Sequence, residues 1–287
     1  RDKIAKGLAK LVEKGKIDAA LAASTVANLH SFSDHAALAE ADLVIEAATE
    51  REDIKHKIFE SAGKHLAAHA VMASNTSSIP ITRMAVSSPD PQRFIGIHFF
   101  SPVDKMMLVE IIRGKATGDV AVAKALDYVR QIRKTPIVVN DARFFYANRC
   151  IIPYINEGIR MVAEGVEPAL IENAARLVGM PVGPLQLVDE TSIDLAVRIS
   201  AATKAATGAT YPDAAVDGVI FALADQGRLG RKAGAGFYTY DAAGKRTGLW
   251  EELANAWPVA KVQPDLAQVQ HRLLMNQALE AVGALEQ

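Results

Sequence analysis

The feature that most constrains the fold is an alternation of short apolar runs with helix-period stretches, which starts at Ala41 and ceases near Asp141. ADLVIEAA is a continuous apolar run of strand length, and EDIKHKIFESAGKHLA behind it has helical periodicity. VMASNTS and RFIGIHFF follow as further strands, then MMLVEII and PIVVND, with the helix-like VAVAKALDYVRQIRK between the last two. Such alternation predicts βαβ units and a parallel sheet with helices on its faces. Beyond Asp141 the strand signal stops. NRCIIPYINEGIRMVAEG, EPALIENAARLVGM and LQLVDETSIDLAVRISAATKAATG read as helical stretches separated by Gly and Pro. GRKAGAGFYTYDAAGK reads as a turn-laden loop. The change from α/β to all-α marks a domain boundary near residues 140–146.

Composition narrows the class without naming a function. With 287 residues, 50% hydrophobic and 23% charged, the chain can build one large core or two ordinary ones. Lys and Arg number 32 against 33 acidic residues, so no field favours nucleic acid or an anionic membrane. The single cysteine, Cys150, excludes an internal disulfide framework and suits a reducing compartment. No apolar run is long enough to cross a bilayer and no signal-peptide pattern opens the chain, so the expectation is a cytoplasmic protein. RDKIAKGLAKLVEKGKI begins inside a helical pattern and HRLLMNQALEAVGALEQ stops inside one, so both ends read as cut from something longer. NRCIIPYINEGIRMVAE and HRLLMNQALEAVGALEQ also align without a gap, Arg149 with Arg272 and Glu157 with Glu280. Two ordinary amphipathic helices would match as well.

Ligands of open parallel sheets bind outside the carboxyl ends of the strands. Ser77 lies just past VMAS, His98 toward the end of RFIGIHFF, and Glu46 and Glu50 after LVI, so polar residues gather at that edge. NTSS serves equally well as a turn or helix cap. His98 and Glu110 stand 12 residues apart with the turn signal SPVD between two apolar runs, which brings the carboxylate back against the imidazole. A carboxylate bonded to one ring nitrogen fixes the tautomer and makes the other nitrogen a better proton acceptor, as a general base requires. A structural His–Glu pair inside a core has the same signature. His65 and His69 fall at i, i+4 on an expected helix, but no third ligand follows and no metal site is expected. No hydrolase elbow, CxxC pair, P-loop or GxGxxG is present.

The motifs DLVIEAATE with KHKIF, ASNTSSI, RFIGIHFFSPVDKMMLVEII, ANRCIIPYINEG, GMPVGPLQLVDE and GRKAGAGFYTY occur in that order between about residues 41 and 240. Together they resemble the NAD-dependent L-3-hydroxyacyl-CoA dehydrogenases of fatty-acid β-oxidation. The resemblance implies an α/β, Rossmann-like NAD-binding domain over residues 1–143 and an all-α dehydrogenase domain over 144–243. Residues 244–287 would then be a linker and the start of a second helical copy. The family's first strand and its Gly-rich pyrophosphate turn would precede Arg1. By the same resemblance His98 is the catalytic base and Glu110 the carboxylate that orients it. Ser77 contacts the substrate's 3-oxygen near the nicotinamide, and Asn148 binds the reacting oxygen. Glu50 and Lys55, with Ser77, contact NAD. The implied reaction oxidises L-3-hydroxyacyl-CoA to 3-ketoacyl-CoA.

Three positions depart from the pattern. Ser101 replaces the asparagine usual after HFF, which points to the multifunctional branch fused behind an enoyl-CoA hydratase. Phe144 replaces the glycine usual before FxxNR. Ser192 replaces the glycine of LxDxxGxD, while Asp189 and Asp194 are kept. The partners implied are an acyl-CoA substrate and either a thiolase subunit or a second copy of the chain. Two other readings compete: a non-catalytic acyl-CoA-binding scaffold, and a related NAD-dependent dehydrogenase of a small 3-hydroxy acid or sugar acid.

Overall fold

Short runs of branched apolar residues suit a buried sheet, and one forms from them. The computed structural model describes residues 1–208 and 213–286. The chain divides into two units, Arg1–Arg143 and Phe144–Gln287. The first begins with α1 (Asp2–Glu13) and α2 (Ala19–Ala27), neither of which has a buried residue. There follow β1 (Leu43–Glu46), α3 (Glu52–Gly63), β2 (Val71–Ser74), α4 (Ile81–Ala85), β3 (Phe94–Phe99), β4 (Leu108–Arg113), α5 (Asp119–Gln131) and β5 (Thr135–Asn140). The sheet order is β1-β2-β3-β4-β5. Its pairs are parallel except β3–β4, which is antiparallel. That exception is the return of the chain that the turn signal SPVD asks for, within a sheet otherwise parallel as expected. Only residues 100–107 join β3 to β4, too few for a crossover helix, so the chain turns back as a hairpin.

Period-two alternation then sorts the side chains. Ile95, Ile97, Val109 and Ile111 pack with Ala121, Ala125 and Val129 of α5. Each buried aliphatic side chain contributes roughly 1.5–3 kcal/mol. Phe94, His98, Glu110 and Ile112 therefore take the opposite face, where Phe94 meets Phe59 of α3 edge-on at 4.9 Å. α3 ends at Gly63, so His65 and His69 do not share a helix as expected, and His69 Nε2 lies 3.1 Å from Asp42 Oδ1. Glycine at the end of a run of helix formers weakens continuation.

The second unit comprises α6 (Ala147–Ala163), α7 (Pro168–Leu177), α8 (Pro184–Thr191), α9 (Ile193–Thr207), α10 (Ala214–Asp225), β6 (Tyr238–Tyr240), β7 (Arg246–Leu249), α11 (Leu253–Ala256) and α12 (Leu266–Leu285). Tyr154, Ile159, Ile171, Leu185, Val219 and Phe237 form its core, and Leu253, Val269 and Leu273 from residues 244–287 join the same core. The antiparallel β6–β7 hairpin corrects the expectation that strands cease after Asp141 and that GRKAGAGFYTYDAAGK is only loop. Aromatic FYTY has strand propensity, and a buried carboxylate holds it. Asp189 Oδ1 accepts from Phe237 N at 2.8 Å, and Oδ2 accepts from Tyr238 N at 2.9 Å and the Tyr240 hydroxyl at 3.1 Å. A Cβ on Gly236 would stand 2.0 Å from Asp189 Oδ1, so only glycine admits this approach.

Both glycine replacements sit at left-handed backbone. Phe144 has φ +65° and Ser192 has φ +93°. Ser192 breaks the expected long helix into α8 and α9. A side chain at such φ costs about 1–2 kcal/mol. Ser192→Gly is therefore expected to raise the melting temperature by about 2–4 °C, measured by thermal unfolding.

Burial pushes the Asp189 carboxyl up to about 6, against the opposing pull of its three donors. A raised folded-state pKa favours the protonated acid. Its contribution to stability is full below the unfolded value of 3.8 and is lost as pH rises through about 6. A carbon-detected NMR titration should place the Asp189 midpoint near 6; a midpoint near the ordinary value would contradict the burial argument.

Candidate active site

The strands β1 and β2 end side by side, with Glu46 in register with Ser74. Glu46 Oε1 accepts from Ala48 N at 2.7 Å, and Oε2 accepts from Ser74 Oγ at 3.0 Å and from Lys55 Nζ. Lys55 rises from the first turn of α3 and is only 1% exposed, because its ammonium is enclosed by Glu46, Ser74 Oγ at 3.4 Å and Glu50 Oε2 at 3.8 Å. Burial pushes the Glu46 carboxyl up, but Lys55, the Ala48 N–H and the Ser74 hydroxyl outweigh it and hold the group below its usual range.

Glu50 organises the next loop. Its Oε1 accepts from Thr76 Oγ1 at 2.7 Å, Ser77 N at 2.9 Å, Ser78 N at 3.2 Å and Ser78 Oγ at 3.1 Å. Asn75 Oδ1 accepts from Phe99 N at 2.8 Å, which ties the same loop to the end of β3. Ser77 thus lies between two anchors, one to Glu50 and one to the residue after His98. The turn reading of NTSS holds as well, since Thr76 Oγ1 accepts from Ile79 N at 3.0 Å.

His98 and Glu110 are directly opposed across β3 and β4. The His98 Nδ1–H donates to Glu110 Oε2 at 2.7 Å, and the two residues are 4% and 0% exposed. This bond sets the tautomer, with the proton on Nδ1 and the acceptor lone pair on Nε2. The Phe100 ring lies 4.5 Å from the imidazole, centroid to centroid.

The first unit therefore gathers Glu50, Lys55 and Ser77 in one hydrogen-bonded cluster, linked through Asn75 to the strand bearing His98 opposite Glu110. Asn148 belongs to the second unit, in the first turn of α6. Its approach is left-handed at two successive residues, Phe144 and Phe145. Sequence reasoning missed Asn75 in ASNTSSI and Phe100 in RFIGIHFF. An asparagine ahead of a Ser/Thr turn and a second aromatic beside a histidine were the available signals. Lys55 faces the carboxylates of Glu46 and Glu50. Among the described residues no group of three His, Cys, Asp or Glu is placed to hold a metal ion, and no helix is long and apolar enough to cross a membrane.

Residues 1–142 match the family model described as 3-hydroxyacyl-CoA dehydrogenase, NAD binding domain, and residues 145–240 match that of its C-terminal domain. Among solved structures, the chain is similar to (S)-3-hydroxybutyryl-CoA dehydrogenase from Ralstonia eutropha, with 35% identity over 84% of this chain and 85% of that one, TM-score 0.78. It is also similar to 3-hydroxybutyryl-CoA dehydrogenase from Escherichia coli, with 34% identity over 83% of this chain and 51% of that one, TM-score 0.78. The dehydrogenase part of multifunctional enzyme 1 from C. elegans shares the fold, at 24% identity over 97% of this chain and 64% of that one, TM-score 0.66.

The Glu50 clamp makes a direct prediction. Glu50→Ala removes an acceptor shared by four donors, so the Ser77 and Ser78 amides should exchange with solvent at least about tenfold faster, in keeping with loss of a charge-assisted bond. Hydrogen-exchange mass spectrometry over residues 75–79 would read this.

Proposed function

The chain belongs to the 3-hydroxyacyl-CoA dehydrogenase family, and from that premise we propose that its NAD-dependent oxidation of 3-hydroxyacyl-CoA runs through His98. The observation that carries this reading is the buried His98–Glu110 bond of 2.7 Å on a strand tied to the Ser77 loop. His98 takes the substrate's hydroxyl proton on Nε2 while Nδ1–H stays bonded to Glu110, which offsets the charge gained by the ring. Ser77 and Asn148 bind the substrate's 3-oxygen and, in the reverse direction, stabilise the charge that develops on it. NAD, when bound, would supply the hydride acceptor for C3, with 3-ketoacyl-CoA as the product.

The residues present fit the ribose end of that cofactor. Glu50 Oε1 is taken up by the Ser77 loop. Its Oε2, 3.8 Å from Lys55 Nζ, is left as an acceptor for a ribose hydroxyl. Lys55 acts from beneath by fixing that carboxylate's charge and position.

We also read the chain as the dehydrogenase part of a multifunctional hydratase/dehydrogenase of fatty-acid β-oxidation, working in the cytoplasm with a thiolase subunit or as a homodimer. Ser101 after HFF supports this. So does a reciprocal pair of ion bonds between α6 and α12, Arg149 with Glu280 and Arg272 with Glu157, as expected of a second helical copy.

The direct test is oxidation of NADH by acetoacetyl-CoA. Turnover is expected with the thioester, and a strong preference for a CoA-free keto acid would sink the substrate assignment. His98→Gln keeps an amide donor for Glu110. It should lower kcat by about 10²–10⁴-fold while shifting the melting temperature by only a few degrees. A variant that unfolds but turns over normally per folded molecule would return His98 to a purely structural role.

A further inference from the structure

Glu46 takes no part in the chemistry proposed above, yet it is an acid buried at the end of β1 with both oxygens engaged. Burial opposes its ionisation, and Lys55, the Ala48 N–H and the Ser74 hydroxyl outweigh that opposition. A buried ion pair is a poor brace by itself, since apolar side chains of similar volume hold neighbouring elements together as well. Its consequence lies in where its bonds lead.

Two paths run from Glu46 to Glu50. On one, Lys55 Nζ donates to Glu46 Oε2 and lies 3.8 Å from Glu50 Oε2. On the other, Ser74 Oγ donates to Glu46 Oε2 at 3.0 Å and accepts from Thr76 N at 3.3 Å. Thr76 Oγ1 then donates to Glu50 Oε1 at 2.7 Å, which closes a ring. Glu46, Lys55, Ser74 and Thr76 are buried, whereas the Glu50 side chain is 46% exposed. Lys55 cancels the charge of Glu46, so the negative charge that remains falls on the exposed carboxylate.

The distances set an order of preference. Lys55 bonds Glu46 directly and stops short of hydrogen-bond contact with Glu50 Oε2. A buried ammonium that lost its charged partner would turn to the next carboxylate, because a buried charge left unpaired is costly. Glu50 Oε2 would then be occupied by Lys55 and closed to a ribose hydroxyl.

We propose that Glu46 is a positioning residue for the cofactor, holding Lys55 back from the Glu50 oxygen that faces the ribose. The inference rests on the ribose role proposed above for Glu50. A ribose contact is the same in the ground state and the transition state, so its loss should weaken binding and leave kcat nearly intact.

The experiment measures NADH affinity by fluorescence titration of the full chain, with acetoacetyl-CoA turnover at saturating NADH and thermal unfolding in parallel. Glu46→Gln is expected to raise the Kd for NADH about tenfold with kcat within about twofold, the size expected when one charge-assisted hydrogen bond is disturbed. Added to Glu50→Gln, the same substitution should raise the Kd by less than about twofold more, because the two residues act as one unit. Ser74→Ala cuts both links of Ser74 in the ring, should raise the Kd about threefold, and stands in should Glu46→Gln fail to fold. Thr117→Val removes a buried bond to Phe94 O at 2.7 Å, at the far end of β3. It should lower the melting temperature by a few degrees without weakening NADH binding. An unchanged Kd in Glu46→Gln, an equal loss with and without Glu50, or an equal loss in Thr117→Val would overturn the inference and leave the proposed function standing. A wild-type protein that bound no NADH, or a Glu50→Gln variant that bound it normally, would overturn the proposed ribose role as well.

Discussion

The antiparallel pairing of β3 with β4 around His98 and Glu110 is the constraint on which the first unit depends. Taking an ionised carboxylate out of water costs several kcal/mol, and Glu110 is fully buried. Part of that cost is offset by the register, which sets His98 directly opposite, at 2.7 Å. A slip of one residue in either strand would turn that strand's side chains to the other face and separate the two groups. The hairpin that breaks the parallel order therefore joins two residues far less stable apart than together. It also leaves the imidazole near the carboxyl end of β3.

Around that pair the protein repeats one device: a carboxylate accepts backbone N–H groups and so fixes a loop that has no strand to hold it. Glu50 does this for Ser77 and Ser78. Asp141 does it for the start of α4, accepting from Ile81 N and Thr82 N at 2.7 Å each. In the second unit Glu172 accepts from Leu185 N at 2.8 Å, and Asp189 receives the hairpin. Hydrogen bonds to charged acceptors are worth about 1.5–3 kcal/mol each, more than a neutral turn supplies. Loops held this way can bear functional side chains without being covered by other chain. Glu50 is notable because one oxygen serves the loop while the other faces the proposed ribose site.

The strands and helices of the first unit were legible because apolar period and length agree, as in RFIGIHFF for β3 and VAVAKALDYVRQIRK for α5. The His98–Glu110 pairing was legible too, since SPVD between two apolar runs asks for a return of the chain. The β6–β7 hairpin was not. FYTY is short and lies among glycines, and what makes it a strand is Asp189, 48 residues earlier in the chain. Long-range acceptors of this kind leave no local pattern. The break at Ser192 escaped for a different reason: a serine at φ +93° contradicts its own preference. Lys55 was read as a ligand contact on resemblance, and its burial against Glu46 became visible only once β1, β2 and α3 were brought together. Phe144 was noticed as an unusual residue, and its left-handed backbone explains why glycine is expected there.

In the proposed mechanism Glu110 commits His98 to one tautomer, leaving Nε2 as the atom that exchanges the proton. Nitrogen-15 NMR of histidine-labelled protein tests it most directly. Neutral His98 should carry its proton on Nδ1, with a deshielded proton signal that Glu110→Gln shifts upfield. A neutral ring protonated on Nε2, unaffected by Glu110→Gln, would contradict it.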